Sequence, residues 1–258
     1  SILVAEDNPI NSLLLAEMLK LRGHDVTINP DGEAAVRQAL ARSFDLILMD
    51  VSMPRMDGLE ATRRIRAAGP CRHVPIIGVT ANASPDRIPD FMAAGMTDIV
   101  VKPISRRALA AMLARHGRAG SGHGPAEPGP AEPLPVKECA MLNEDVFIET
   151  LQEMGRDFVE RVAARMLNEA QVAVADIRNQ APGELPVAGQ TAHKAAGAAA
   201  AIGLAGLHAA FADCEHAAEA GDVMAALAAA TAAEAAIPAT AAALRQHGLL
   251  TDGDHLPG

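Results

Sequence analysis

Tryptophan and tyrosine are absent from this 258-residue chain, and phenylalanine occurs only five times. Its core must therefore be built from Ala, Val, Leu, Ile and Met. A hydrophobic share of 50% excludes a disordered chain and is enough to bury a real core. Cysteine is scarce: Cys71, Cys139 and Cys214 are scattered and form no C-x-x-C pair, which excludes a disulfide framework and points to a reducing, cytoplasmic compartment. His208, Cys214 and His216 fall close together but match no zinc spacing. Positive charge is short as well, with 22 Lys+Arg against 32 Asp+Glu and a net charge of -10. That excludes non-specific nucleic-acid binding and argues against an anionic membrane surface. The weakly apolar run Ala195 to Leu207 is mostly Ala and Gly, too short to span a bilayer, so no direct membrane insertion is expected. No basic leader precedes Ser1-Ile2-Leu3-Val4, as if the chain were cut from a longer one. Patterns for ATP binding and for helix-turn-helix DNA binding are missing too.

What is present divides the chain into parts. Residues 1–116 alternate strand-like runs (Ile2–Ala5, Asp25–Asn29, Asp45–Met49, Pro75–Thr80, Asp98–Val101) with helical patterns near 10–22, 32–42, 58–68, 86–94 and 105–115. Five strands alternating with five helices predict a doubly wound α/β domain with a parallel sheet. Its third strand, Leu46-Ile47-Leu48-Met49, is continuously apolar and so central. Residues 117–135 are rich in Gly and Pro, which predicts a linker spanning roughly 25 Å over about 18 residues. Residues 136–248 hold no strand pattern. Apolar Phe158, Val162 and Met166 recur at helical spacing, with expected breaks at Gly155, Pro182-Gly183, Gly221 and Pro238. This predicts an all-α domain of about four or five helices in a bundle, followed by a tail at 249–258.

Chemistry in an open parallel sheet sits at the carboxyl ends of its strands. There the sequence places Glu6-Asp7 after the first strand, Asp50 after the third, Thr80 at the fourth and Lys102-Pro103 after the fifth. Three carboxylates at one edge repel unless a cation joins them, and hard oxygen donors suit Mg²⁺. A carboxylate beside such a cation can act as a nucleophile toward phosphorus, while a hydroxyl and an ammonium hold the transferring oxygens.

Taken together, Val4-Ala5-Glu6-Asp7-Asn8, Leu48-Met49-Asp50-Val51-Ser52-Met53-Pro54-Arg55-Met56-Asp57-Gly58, Val79-Thr80-Ala81 and Lys102-Pro103-Ile104 resemble the response-regulator receiver family over residues 1–116. The resemblance implies a flavodoxin-like fold. It implies Asp50 as phosphoacceptor and Mg²⁺ held by Asp7, Asp50 and the Ser52 main-chain carbonyl, with Glu6 in the second acidic position. It gives Thr80 and Lys102 the switch and phosphate-contact roles, and it implies a cis Lys102–Pro103 bond. Many family members carry an aromatic ring three residues before the lysine; here that residue is Ile99, which favours a relay over a rotamer switch.

In the second domain, His193 would have Gly189, Gln190, Ala196, Gly197 and Ala200 as neighbours on one helix face. Such small residues either let two helices pack closely or let a partner approach the imidazole, a nucleophile at neutral pH. The segment Ala192-His193-Lys194-Ala195-Ala196-Gly197, with Ile202-Gly203 after it, is similar to the histidine-phosphotransfer (HPt) signature. That resemblance implies a four-helix bundle with His193 as phosphocarrier. The family's usual lysine three residues after the histidine is Ala196 here, and Lys194 is the candidate to compensate. His208 and His216 are the fallback acceptors.

The two resemblances together are those of the C-terminal part of a bacterial hybrid sensor histidine kinase. They imply a phosphoryl group taken from a sensor kinase transmitter domain onto Asp50, passed to His193 and delivered to a downstream receiver domain, with the reverse direction also open. The implied place is cytoplasmic, within a membrane-anchored kinase if the chain is part of one. The other readings are a module whose docking Asp50 phosphorylation switches, and a phosphate sink in which the acyl phosphate hydrolyses.

Overall fold

The structure is a computed structural model that describes residues 1–81, 83–117, 141–180 and 184–250. Cys139, Pro182-Gly183, nearly all of the expected linker and the last eight residues of the expected tail lie outside the described residues. The chain divides into two compact units, Ser1–Pro133 and Leu134–Gly258.

In the first unit, strands β1 (Ile2–Ala5), β2 (Val26–Asn29), β3 (Leu46–Asp50), β4 (Ile76–Thr80) and β5 (Asp98–Val101) form one parallel sheet in the order β2-β1-β3-β4-β5. Helices α1 (Pro9–Lys20), α2 (Gly32–Ala41), α3 (Gly58–Ala67), α4 (Ile88–Ala93) and α5 (Arg106–His116) alternate with the strands. This is the flavodoxin-like order. The apolar third strand is central as expected, and every residue of it is buried. β2, β3 and β4 each start one residue later than expected, and one end differs: Asp50 is the last residue of β3 rather than the first after it, because its main-chain pairing with Val79 extends the ladder. Leu3, Ile47, Met49, Ile65, Ile76 and Phe91 pack into one core, each contributing about 1.5–3 kcal/mol by leaving water.

The strand-to-helix turns are set by capping side chains. Asn8 accepts from the Ile10 and Asn11 amides, with Pro9 in the first turn; Asp31 accepts from Ala34, Asp57 from Glu60 and Ser105 from Ala108. Each of these helices therefore begins close to the edge where the strands deliver Glu6, Asp7 and Asp50.

The second unit is helical: α6 (Glu144–Met154), α7 (Arg156–Asn179), α8 (Leu185–Ala201), α9 (Ala205–Glu219) and α10 (Val223–Gln246). Helix α7 packs on α6, α8 and α10, and α9 packs on α8 and α10. Gly155 and Gly221 break the chain where expected. Pro238 does not: it lies exposed inside α10. Proline costs a helix about 3 kcal/mol. Here burial of Ala230, Ala233 and Ile237 before it and Thr240, Ala241 and Leu244 after it holds both halves in line. A break that the sequence reading did not mark falls at Gly203, whose φ is 77° and whose carbonyl accepts from Asn143 N–H at 2.8 Å.

The most apolar stretch also differs from expectation. Among the described residues, α10 is the one helix long and apolar enough to cross a membrane, with a mean hydropathy of 1.4. Alanine raises hydropathy without adding bulk, which hid this helix from a search for large apolar side chains. Its inward face packs on α7 and α9.

Candidate functional site

The site is assembled at the carboxyl ends of β1, β3, β4 and β5. Glu6 and Asp7 follow β1, Asp50 ends β3, Thr80 ends β4 and Lys102 follows β5 in a cis bond to Pro103. Donor oxygens of Glu6, Asp7 and Asp50 all lie within 4.8 Å of one another. Glu6 and Asp50 are each 3% exposed. The Lys102 ammonium stands between them, 2.8 Å from Glu6 Oε2 and 2.7 Å from Asp50 Oδ2. Asp50 Oδ1 accepts from the Ser52 amide at 3.0 Å. Glu6 is held from behind: its Oε1 accepts from the Asn8 amide at 3.3 Å and its carbonyl from Ser12 Oγ at 3.0 Å.

Burial pushes the Glu6 carboxyl up to about 7, against the pull of Lys102 and with the push of Asp50 and Asp7. Burial also raises Asp50, again opposed by Lys102. Burial depresses Lys102, but Glu6 and Asp50 more than reverse this and keep it protonated. One part-buried ammonium thus pairs with two of three clustered carboxylates. With all three ionised the cluster carries an excess of two negative charges, and the donors are oxygen only. A hard divalent cation of the Mg²⁺ type fits this set, and protonation of Glu6 below about pH 7 would weaken its hold.

Thr80 is buried beside Asp50's strand, and its carbonyl accepts from Lys102 N–H at 2.8 Å. Ser52 is exposed in the β3–α3 loop. Ile99 packs against the core of the sheet.

His193 projects from α8 with 41% of its side chain exposed, and its Nδ1 lies 2.7 Å from Glu215 Oε1 on α9. The sequence reading missed Glu215. It lies 22 residues from the histidine, and only the α8–α9 packing brings the two together. A carboxylate accepts, so Nδ1 donates, and the lone pair is left on Nε2. In Glu215→Ala, ¹⁵N ring shifts of His193 are expected to move toward the tautomer mixture of free imidazole, while Glu215→Gln keeps the Nδ1–H form; unchanged shifts in both would show that Glu215 does not place the proton.

The small residues around His193 separate into two sets. Gly189 and Ala196 are buried. A Cβ at Gly189 would lie 3.2 Å from Ala218, and the Ala196 carbonyl accepts from His208 Nδ1 at 3.1 Å, so both serve the contact with α9. Gly197, one turn beyond His193, would meet nothing within 4 Å if it bore a Cβ. No packing demand explains a glycine there. Lys194 is exposed. His216 is exposed and bonds the Ala212 carbonyl of its own helix, at 2.7 Å. Cys71 and Cys214 are buried thiols, with burial pushing Cys214 up to about 11. Among the described residues, Glu6, Asp7 and Asp50 form the one cluster of metal-type donors, and His208, Cys214 and His216 gather into none.

Comparison with known proteins places residues 2–114 within the family model described as the response regulator receiver domain. The chain is 40% identical over 117 residues to the sensor protein GacS of Pseudomonas syringae pv. syringae, covering 44% of this chain and 13% of that protein. It is 43% identical over 115 residues to hybrid signal transduction histidine kinase I of Dictyostelium discoideum, covering 42% and 7%. A solved structure of the receiver domain of sensor histidine kinase PA1611 from Pseudomonas aeruginosa PAO1, described with a magnesium ion in its active-site cleft, is 44% identical. That alignment covers 45% of this chain and 94% of that one, with a TM-score of 0.42. The chain spans less than about a fifth of the length of the curated relatives it matches, 13% of the first.

Proposed function

Because residues 2–114 are a response regulator receiver domain of two-component signalling, we propose that the whole chain is a two-step phosphorelay. In it Asp50 takes a phosphoryl group from a phosphohistidine, and His193 takes it from Asp50 for delivery to an aspartate on a downstream receiver. The observation that carries the first step is the buried Glu6–Asp7–Asp50 cluster with Lys102 set between two of its members. The second step is supported by the His193–Glu215 bond, which leaves the nucleophilic lone pair on Nε2 of a part-exposed side chain, and by the open face at Gly197.

Asp7, Asp50 and the Ser52 carbonyl would hold Mg²⁺, with Glu6 beside them. Bound there, the ion supplies positive charge against the oxygens of the transferring group. In the first step an Asp50 carboxylate oxygen attacks phosphorus. The P–N bond of the donor breaks, the donor imidazole recovers its lone pair, and an acyl phosphate forms. Lys102 donates to the phosphoryl oxygens where charge gathers, and the Thr80 hydroxyl would do the same from the end of β4. In the second step His193 Nε2 attacks the same phosphorus, the acyl P–O bond breaks, and Asp50 returns to a carboxylate. Glu215 holds the Nδ1 proton throughout, so the new phosphohistidine carries no uncompensated charge toward α9. The proposed frame for this chemistry is a four-helix bundle of α7 to α10, with residues 117–135 as the tether and 249–258 as a tail. The chain's place in a hybrid kinase on the cytoplasmic side belongs to the same proposal.

The first step is tested with a labelled small phosphodonor and Mg²⁺. Alkali-labile label is expected in the wild type and none in Asp50→Asn. Equal label in both would remove Asp50 as acceptor.

A further inference from the structure

The β3–α3 loop carries a conformation that its sequence does not make easy. Arg55 is the non-glycine residue with positive φ among those described, at 66°. Met56 N–H donates to the Pro54 carbonyl at 2.8 Å, closing a three-residue turn about Arg55. L-residues with long side chains avoid this region, and glycine or asparagine enters it with less strain. Something must hold the turn, and two contacts with the start of α2 do so. The Arg55 guanidinium pairs with Asp31 Oδ2. Gly32 lies so close to the turn that a Cβ would come within 2.5 Å of the Met56 carbonyl oxygen.

Asp31 is itself anchored. Its other oxygen caps α2 by accepting from Ala34 N–H at 2.7 Å, and its side chain is 11% exposed. The ion pair therefore joins the β3–α3 loop to a helix terminus. The same loop begins at Asp50 and includes Ser52, whose amide bonds the Asp50 carboxylate. At its far end Gly58 N–H donates to the Val51 carbonyl at 3.0 Å.

We propose that the Asp31–Arg55 pair is a positioning clamp: it holds the strained turn, and through it the Ser52 segment and the Asp50 carboxylate, in the geometry that receives a divalent cation. The inference rests on the reading of Asp50 as phosphoacceptor. It concerns residues outside the acidic cluster that touch neither cation nor phosphoryl group.

Charge and clamp make opposite forecasts for one variant. Loss of a cation near three carboxylates tightens Mg²⁺ binding, so by charge alone Arg55→Gly strengthens it and Asp31→Asn weakens it. The clamp requires both to weaken it. Asparagine at 31 keeps the capping oxygen and loses only the charge, while glycine at 55 accepts the positive φ and loses only the side chain. Since Arg55 is 62% exposed, the effect is modest: about threefold weaker Mg²⁺ binding in each variant, and no further loss in the double variant because both break one contact.

The test titrates Mg²⁺ into the full chain by calorimetry and measures amide hydrogen exchange at Ser52 without metal. Weaker binding in both variants, with Ser52 exchange faster by about threefold, is the expected result. Tighter binding in Arg55→Gly, or unchanged exchange at Ser52 in both variants, would overturn the clamp. The wild-type titration separates the two readings. If the wild type binds no Mg²⁺ and takes no phosphoryl group at Asp50, the site reading fails, and the exchange data still decide on the clamp.

Discussion

Lys102→Ala is expected to pull two properties of the acidic site in opposite directions: Mg²⁺ binds more tightly, by at least about tenfold, while phosphoryl uptake falls by about a hundredfold. Both follow from one geometry. The ammonium lies within 2.8 Å of Glu6 and 2.7 Å of Asp50, so it competes with a divalent cation for the same carboxylates. Its removal leaves three acids with no buried counter-charge from Lys102. It also removes the donor that meets the charge gathering on the phosphoryl oxygens. Calorimetric Mg²⁺ titration and the rate of labelling from a small phosphodonor read the two effects separately. A parallel loss of both would mean that Lys102 holds the site together rather than balancing it, and a rise in both would remove its role in transfer.

Gly58→Ala is the second large effect, and it concerns stability. A Cβ at this first residue of α3 would stand 2.2 Å from the Asp50 carbonyl oxygen and 2.9 Å from the Val51 Cα, and its three nearest neighbours are all backbone atoms. No side chain can swing aside, so the β3 end or the α3 start must shift. Overpacking of this kind costs about 3 kcal/mol, enough to lower the melting of the first unit by more than about 10 °C. Gly197→Ala is the control in the second unit. Its new Cβ meets nothing within 4 Å, and alanine favours a helix over glycine by about 1 kcal/mol, so melting should hold or rise. If a partner site closes over His193, the same methyl slows transfer. Calorimetric scans of both variants check the pair; an unaltered first transition in Gly58→Ala would show that the loop yields where the packing says it cannot.

The receiver unit was legible in the sequence because its signals are local and repeated. Apolar runs mark the strands, amphipathic stretches between them mark the helices, and the ends of the strands name the site. The place of the site then follows from the rule that open parallel sheets bind ligands at their carboxyl edge. The helical unit was less legible. Its Ala-rich helices carry little amphipathic contrast, so the break at Gly203 was missed and Pro238 was taken for one. Hydropathy misled in the same way at α10, where alanine supplies most of the apolar residues. Glu215 was beyond reach because a pair joined across two helices leaves no spacing to read. The ion pair of Asp31 with Arg55 was hidden for the same reason, 24 residues apart and visible only once the α2 start meets the β3–α3 loop. The small face around His193 was legible as a pattern, but packing was needed to show that Gly189 and Ala196 serve the fold while Gly197 does not.

The most direct test of the relay is alkali-stable label. The chain is incubated with a labelled small phosphodonor and Mg²⁺ beside Asp50→Asn and His193→Ala, then treated with alkali, which destroys an acyl phosphate and spares a phosphohistidine. The relay predicts alkali-stable label in the wild type, its loss in either variant, and its recovery when the two variants are mixed if transfer also runs between chains. Label that is entirely alkali-labile in the wild type, or alkali-stable label that persists in His193→Ala, would contradict it.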